Sequence, residues 1–142
     1  MLIDTHYAGK ALGLLRIITA LLFIEHGTAK LLGFPPFTMG PLPALGTLPW
    51  IAGVIEVVGG LLVLVGFFSR PAAFILAGEM AVAYWMIHAP QSTFPVNNGG
   101  DAAILFCFIF LYIAAAGPGE WSVEHQRAKK VARHRPADHD SA

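Results

Sequence analysis

Residues 11–32 read ALGLLRIITALLFIEHGTAKLL. Eleven Leu, Ile and Phe residues lie between Leu12 and Leu32, and a helix of this length rises roughly 30 Å, the hydrocarbon thickness of a bilayer. The same stretch carries Arg16, Glu25, His26 and Lys30. Its apolar residues favour insertion by roughly 3–7 kcal/mol, while each central Arg or Lys costs about 2.5–3.5 kcal/mol. A few such charges cancel the whole gain. A helix like this is marginal alone in lipid, so its polar groups must turn inward and find partners on other helices. The stretch therefore predicts a membrane bundle rather than a lone anchor. It is too long and too interrupted by ionisable residues for the core of a signal peptide, and no A-x-A cleavage site follows.

Working outward, three further apolar stretches cover residues 50–68, 71–88 and 101–116. The 142-residue chain is 56% hydrophobic and 13% charged, where a soluble domain carries about a quarter charged residues. The breaks between stretches have local causes. Residues 33–49 contain Pro35, Pro36, Pro41, Pro43 and Pro49, which do not continue a helix. Ser69-Arg70-Pro71 reads as a tight turn, with Pro71 in the first turn of the next helix. Pro90, Pro95 and the run Asn97-Asn98-Gly99-Gly100 break residues 89–100, and Gly117-Pro118-Gly119 stops the fourth stretch. These signals predict an all-α membrane protein, an antiparallel bundle of four transmembrane helices within residues 1–116.

Lysine and arginine give the orientation. Lys10, Arg70, Arg127, Lys129, Lys130, Arg133 and Arg135 flank alternate ends of the stretches, and residues 33–49 and 89–100 hold neither residue type. Both termini are thus expected in the cytoplasm. Residues 117–142 are expected to form a polar, unstructured tail whose basic run sets topology and meets lipid headgroups.

At 100° per residue, Arg16, Ala20, Phe23, Gly27 and Lys30 share one face of the first helix, with His26 at its margin and Glu25 opposite. Gly53, Glu56, Gly59, Gly60 and Val63 share a face of the second, where small residues let another backbone approach. Glu79 is grouped with Ala72, Ile75, Leu76, Ala83 and Met86 on the third. Arg16, Glu79, Glu56 and His26 are therefore expected to form a polar column that opens outward near Lys30, His88 and Asp101. These seven residues are the candidate ligand or proton pocket, because intramembrane ionisable groups are functional candidates by default. Structural readings stand beside it. Arg16 paired with Glu56 or Glu79 would fix packing, Lys30 would snorkel, and Asp101 would complement a helix N-terminus. Trp50, Trp85 and Trp121 suit membrane interfaces.

Several chemistries are excluded. The single cysteine, Cys107, forms no internal disulfide or cysteine metal cage, and no metal site is expected. The formal net charge is zero, so nothing steers the chain to nucleic acid. P-loop, Rossmann, Ser–His–Asp and zinc-protease signatures are absent.

The order and spacing of several short motifs resemble the DoxX family of small four-helix bacterial membrane proteins. The resemblance begins with Arg16, His26-Gly27, Lys30 and Gly33-Phe34. It continues through Glu56-Val57-Val58-Gly59-Gly60, the Gly66 to Arg70 turn, Met80, Ala83-Tyr84 and Asn98-Gly99-Gly100-Asp101. It ends at Gly117-Pro118-Gly119-Glu120-Trp121-Ser122. It implies the bacterial inner membrane; the name-giving relatives belong to a thiosulfate:quinone oxidoreductase, and other members are linked to redox or sulfur stress. No residue set here carries thiosulfate chemistry, and whether the chain is an enzyme or an accessory subunit stays open.

Four functions compete. One is a redox-associated subunit that binds a quinone, with His26 and Lys30 donating to a carbonyl and Glu56 or Glu79 supplying protons. Electrons would then come from a redox protein partner. The second is a scaffold that builds an oligomer or partner interface. The third is a small proton-coupled carrier that would have to oligomerise. The fourth, haem held by His26 and His88, is disfavoured because His88 lies at the end of its stretch and away from the Glu79 face.

Overall fold

The computed structural model describes residues 5–37 and 40–134, and these form helices and loops without a strand. Helix α1 (Thr5–Leu32) is followed by α2 (Leu48–Val65), α3 (Ser69–Ala83), a one-turn α4 (Pro95–Asn98), α5 (Asp101–Ala116) and α6 (Val123–His134). A π turn, Tyr84–His88, extends α3. Three of these helical stretches are long and apolar enough to cross a membrane: Tyr7–Leu32, Leu48–Val65 and Ser69–His88. Helix α5 is equally apolar but has 16 residues.

The helix ends depart from the expected breaks in two places. Pro49 sits in the first turn of α2, where its missing N–H costs nothing. Helix α2 stops at Val65 because Gly66 adopts a left-handed conformation (φ 71°) and its N–H turns back to the Val63 carbonyl. The turn between α2 and α3 is therefore Gly66-Phe67-Phe68, and Ser69-Arg70-Pro71 already belongs to α3.

Helix α1 packs along α2, α2 along α3, and α3 along α5, each pair antiparallel, while α1 and α5 touch sparingly. The core holds Ala20, Phe23, Val63, Ala73, Leu76, Ala77, Phe110 and Ile113. The outward surface carries Ile18, Leu22, Val58, Leu61, Phe74, Val82, Leu105 and Phe108. An apolar exterior of this kind suits lipid rather than water.

The small faces of α1 and α2 explain their closeness. A Cβ placed on Gly27 would come within 2.6 Å of Val57 and 2.8 Å of the Gly53 carbonyl. No larger residue fits there without parting the helices.

The C-terminal segment corrects the expected unstructured tail. Residues 123–134 form α6, and the segment before it docks onto the bundle; Arg135 lies outside the described residues. The Glu120 N–H donates to the Gly9 carbonyl at 3.1 Å, and the Glu124 N–H to the Gly66 carbonyl at 3.1 Å. Ser122 is fully buried against Gly66. Polar composition suggested a solvated tail, but here backbone groups and one serine fill the end of the bundle.

Candidate functional site

Helix α1 sends two cations inward, and they do different work. Arg16 is fully buried. Its Nε donates to the Pro118 carbonyl at 2.7 Å, and its Nη1 to the carbonyls of Val63, at 2.8 Å, and Leu64. Its Nη2 donates to Trp121 at 3.0 Å and Glu120 at 3.3 Å. The last turn of a helix leaves carbonyls without partners and carries partial negative charge. Arg16 answers both at the end of α2 while gripping residues 118–121. The expected ion pair of Arg16 with Glu56 or Glu79 is not formed, and the polar column does not begin at Arg16. Periodicity gave the direction of this side chain but not the helix end that meets it.

Lys30, in the last turn of α1, makes the ion pair instead. Its Nζ lies 2.5 Å from Oε1 of Glu56, which is 1% exposed near the middle of α2. A snorkelling Lys30 would have pointed to the surface; here it turns in. The other oxygen of Glu56 and both carboxyl oxygens of Glu79 are buried and make no hydrogen bond among the described residues. Glu79 lies within electrostatic reach of both Glu56 and Lys30. Leaving a buried acceptor unmatched costs about 1–3 kcal/mol, so these three oxygens mark a place where donors are expected.

The face assigned to α3 is shifted. Its buried side is Ser69, Ala72, Ala73, Leu76, Ala77 and Met80, while Ile75 and Met86 are exposed. Glu79 therefore stands at the edge of the buried face, half-buried, rather than at its centre.

Three candidates sit outside this cluster or at its rim. His26 is exposed, with Nδ1 2.8 Å from the Leu22 carbonyl of its own helix. Its ring meets Phe106 of α5 edge-on at 5.7 Å, and Phe23 meets Phe106 and Phe110 at 5.3 and 4.8 Å. These rings line the sparse seam between α1 and α5. Glu56 lies within electrostatic reach of His26. His88 is engaged in its loop, with Nδ1 2.9 Å from the Asn98 carbonyl and its ring stacked on Tyr84. Asp101 is exposed in the first turn of α5, as a helix N-terminal acid should be. The structure thus brings together Lys30, Glu56 and Glu79, with His26 at the rim, and leaves Arg16, His88 and Asp101 apart.

Other polar anchors escaped the sequence reading. Arg70 donates through Nη1 to the Ala114 and Ala115 carbonyls at 3.0 and 2.5 Å, closing the end of α5. Glu124 accepts the Ser69 N–H at 2.8 Å and so caps α3 from α6. Asn98, also buried, accepts the Gly100 N–H and donates to the Ser92 carbonyl, both at 2.8 Å.

The DoxX family profile matches residues 11–89, which span α1 to the π turn and include Lys30, Glu56 and Glu79. The chain belongs to the DoxX family. Several relatives cover most of its length. A Haemophilus influenzae protein is 44% identical over 128 residues, covering 87% of this chain and 96% of the relative. The Escherichia coli inner membrane protein YphA is 31% identical, over 78% of this chain and 86% of its own length. The inner membrane protein YqjF of the same organism is 28% identical, over 81% and 90%. No solved structure gives a significant match. With its apolar exterior, this DoxX-family chain is a membrane protein.

Proposed function

We propose that this chain is a multi-pass inner-membrane protein that binds a quinone, or a ligand of similar chemistry, beside Lys30, Glu56 and Glu79. In this reading α5 is the fourth span, because it runs antiparallel along α3 and carries an apolar surface to lipid. Lys10, Arg70 and the basic residues of α6 lie at one end of the bundle, which is the cytoplasmic end by the distribution of positive charge.

The observation that carries the reading is Glu79. Its two buried, unmatched carboxyl oxygens face the neighbourhood of the Lys30–Glu56 pair in the apolar middle of the bundle. Two carboxyl groups and one ammonium can hold and pass protons. The Lys30 ammonium has three donors and uses one on Glu56, which leaves it able to donate to a carbonyl oxygen. The seam between α1 and α5, edged by His26, Phe23 and Phe106, offers a lateral way in from lipid for an apolar ring. A quinone would supply the electron-accepting ring; the electrons would come from a redox protein partner.

The test is a titration of purified full-length protein in detergent with a short-chain ubiquinone, followed by tryptophan fluorescence. Saturable binding that weakens in Glu79→Gln and Lys30→Met supports the reading. No saturable binding of ubiquinone or menaquinone analogues would remove it. The scaffold alternative draws on Arg16, whose hydrogen bonds are all structural, and gains if Glu79→Gln alters only assembly.

A further inference from the structure

Charged side chains also meet apolar surface at the end of the bundle opposite the polar cluster. A surface groove of about 320 Å³ is lined by Phe67, Phe68, Arg70, Pro71, Glu124 and Arg127. It runs between the α2–α3 turn and the first turns of α6.

We propose that this groove binds the phosphate headgroup of an anionic phospholipid. Position comes first. The turn Gly66-Phe67-Phe68 joins two helices that are each long and apolar enough to cross a membrane, so it lies at the level of lipid headgroups.

Charge comes next. Arg70 and Arg127 are both exposed in the groove. Arg70 uses only Nη1 on the α5 carbonyls, so three of its five N–H donors make no hydrogen bond among the described residues. Arg127 rests over the Phe67 ring, 5.2 Å from its centroid, which fixes the guanidinium without spending its donors. The lone acid, Glu124, is turned away to the Ser69 N–H and toward buried Arg16. Two guanidinium groups with free forks match phosphate oxygens better than two lysines would.

The rim supplies the apolar part. Phe68 is 61% exposed and holds a left-handed backbone (φ 48°), an uncommon conformation for a bulky residue. It presents its ring at the level where acyl chains begin. Beyond the groove, α6 places Lys129, Arg133, Lys130 and Arg127 on one side and Ala128, Val131 and Ala132 on the other. That division suits a helix lying at the interface of an anionic membrane.

The test is native mass spectrometry of the full-length protein in detergent, with phosphatidylglycerol and phosphatidylcholine added in equal amounts. Phosphatidylglycerol should be retained about fivefold more strongly, and Arg127→Gln should remove most of that preference. Arg127 is exposed and caps no helix, so this variant should fold even if Arg70→Gln does not. Lys129→Gln, outside the groove, should keep the preference. Equal retention of the two lipids overturns the proposal, as does a preference that survives Arg127→Gln. A loss in Lys129→Gln as large as in Arg127→Gln overturns the groove in favour of diffuse attraction. Competition by inorganic phosphate as effective as that by the lipid overturns the assignment to a lipid.

Discussion

Lys30 reaches from the last turn of α1 to set its Nζ 2.5 Å from Oε1 of Glu56, midway along α2. Both charges lie between helices whose outer faces are apolar, and Glu56 is almost wholly shielded. Breaking such a pair from one side leaves an uncompensated buried charge and costs about 3–5 kcal/mol. Lys30→Met should therefore lower thermal stability in detergent markedly. The double variant Lys30→Met with Glu56→Gln should recover much of the loss, as a double-mutant cycle of melting curves would reveal.

Glu79 makes no hydrogen bond among the described residues, so Glu79→Gln should behave oppositely. Its melting temperature should stay at or above the parent's, since no hydrogen bond among the described residues is lost and a buried carboxyl without a partner is replaced by a neutral amide. Binding of the ubiquinone analogue should fall at the same time. Measuring both on one preparation separates a ligand group from a packing group.

Arg16 should be intolerant even of lysine. Its guanidinium serves five carbonyls from α2 and from residues 118–121. An ammonium has three donors in a different geometry. Hydrogen bonds from charged groups contribute about 1.5–3 kcal/mol each. Arg16→Lys should lower the melting temperature and expose the segment after Gly117 to protease, which limited proteolysis with mass mapping would detect.

Glycine substitutions should divide by neighbourhood. At Gly27 an added methyl meets Val57 and the Gly53 carbonyl, and overpacking of that kind costs about 1–3 kcal/mol. At Gly78 nothing lies within 4 Å, and replacing a mid-helix glycine by alanine stabilises by about 1 kcal/mol. Gly27→Ala should melt earlier and Gly78→Ala at or above the parent temperature.

Much of the packing was legible because α1 and α2 are regular. Arg16, Ala20, Phe23 and Gly27, and Gly53, Glu56, Gly60 and Val63, are buried as their angular positions require. On α3 the reading slipped by one strip, since Ile75 and Leu76 are equally apolar and lipid rewards exposure of either. The partners were less legible than the faces. Nothing in spacing along α1 tells that Arg16 meets carbonyls 102 residues away at Pro118, or that Lys30 rather than Arg16 meets Glu56. Helix α6 was hidden because its anchor Glu124 bonds to backbone groups of Gly66 and Ser69, more than fifty residues away, and Ser122 packs against Gly66.

The grip of Arg16 on residues 118–121 has a bearing on how the protein is made. Its Pro118, Glu120 and Trp121 acceptors are synthesised last, long after α1 has left the ribosome. Until they arrive, the guanidinium has only the two α2 carbonyls to offset its transfer from water. Nascent chains halted before Pro118 should therefore linger at the insertion machinery, and those extended past Trp121 should be released into the bilayer.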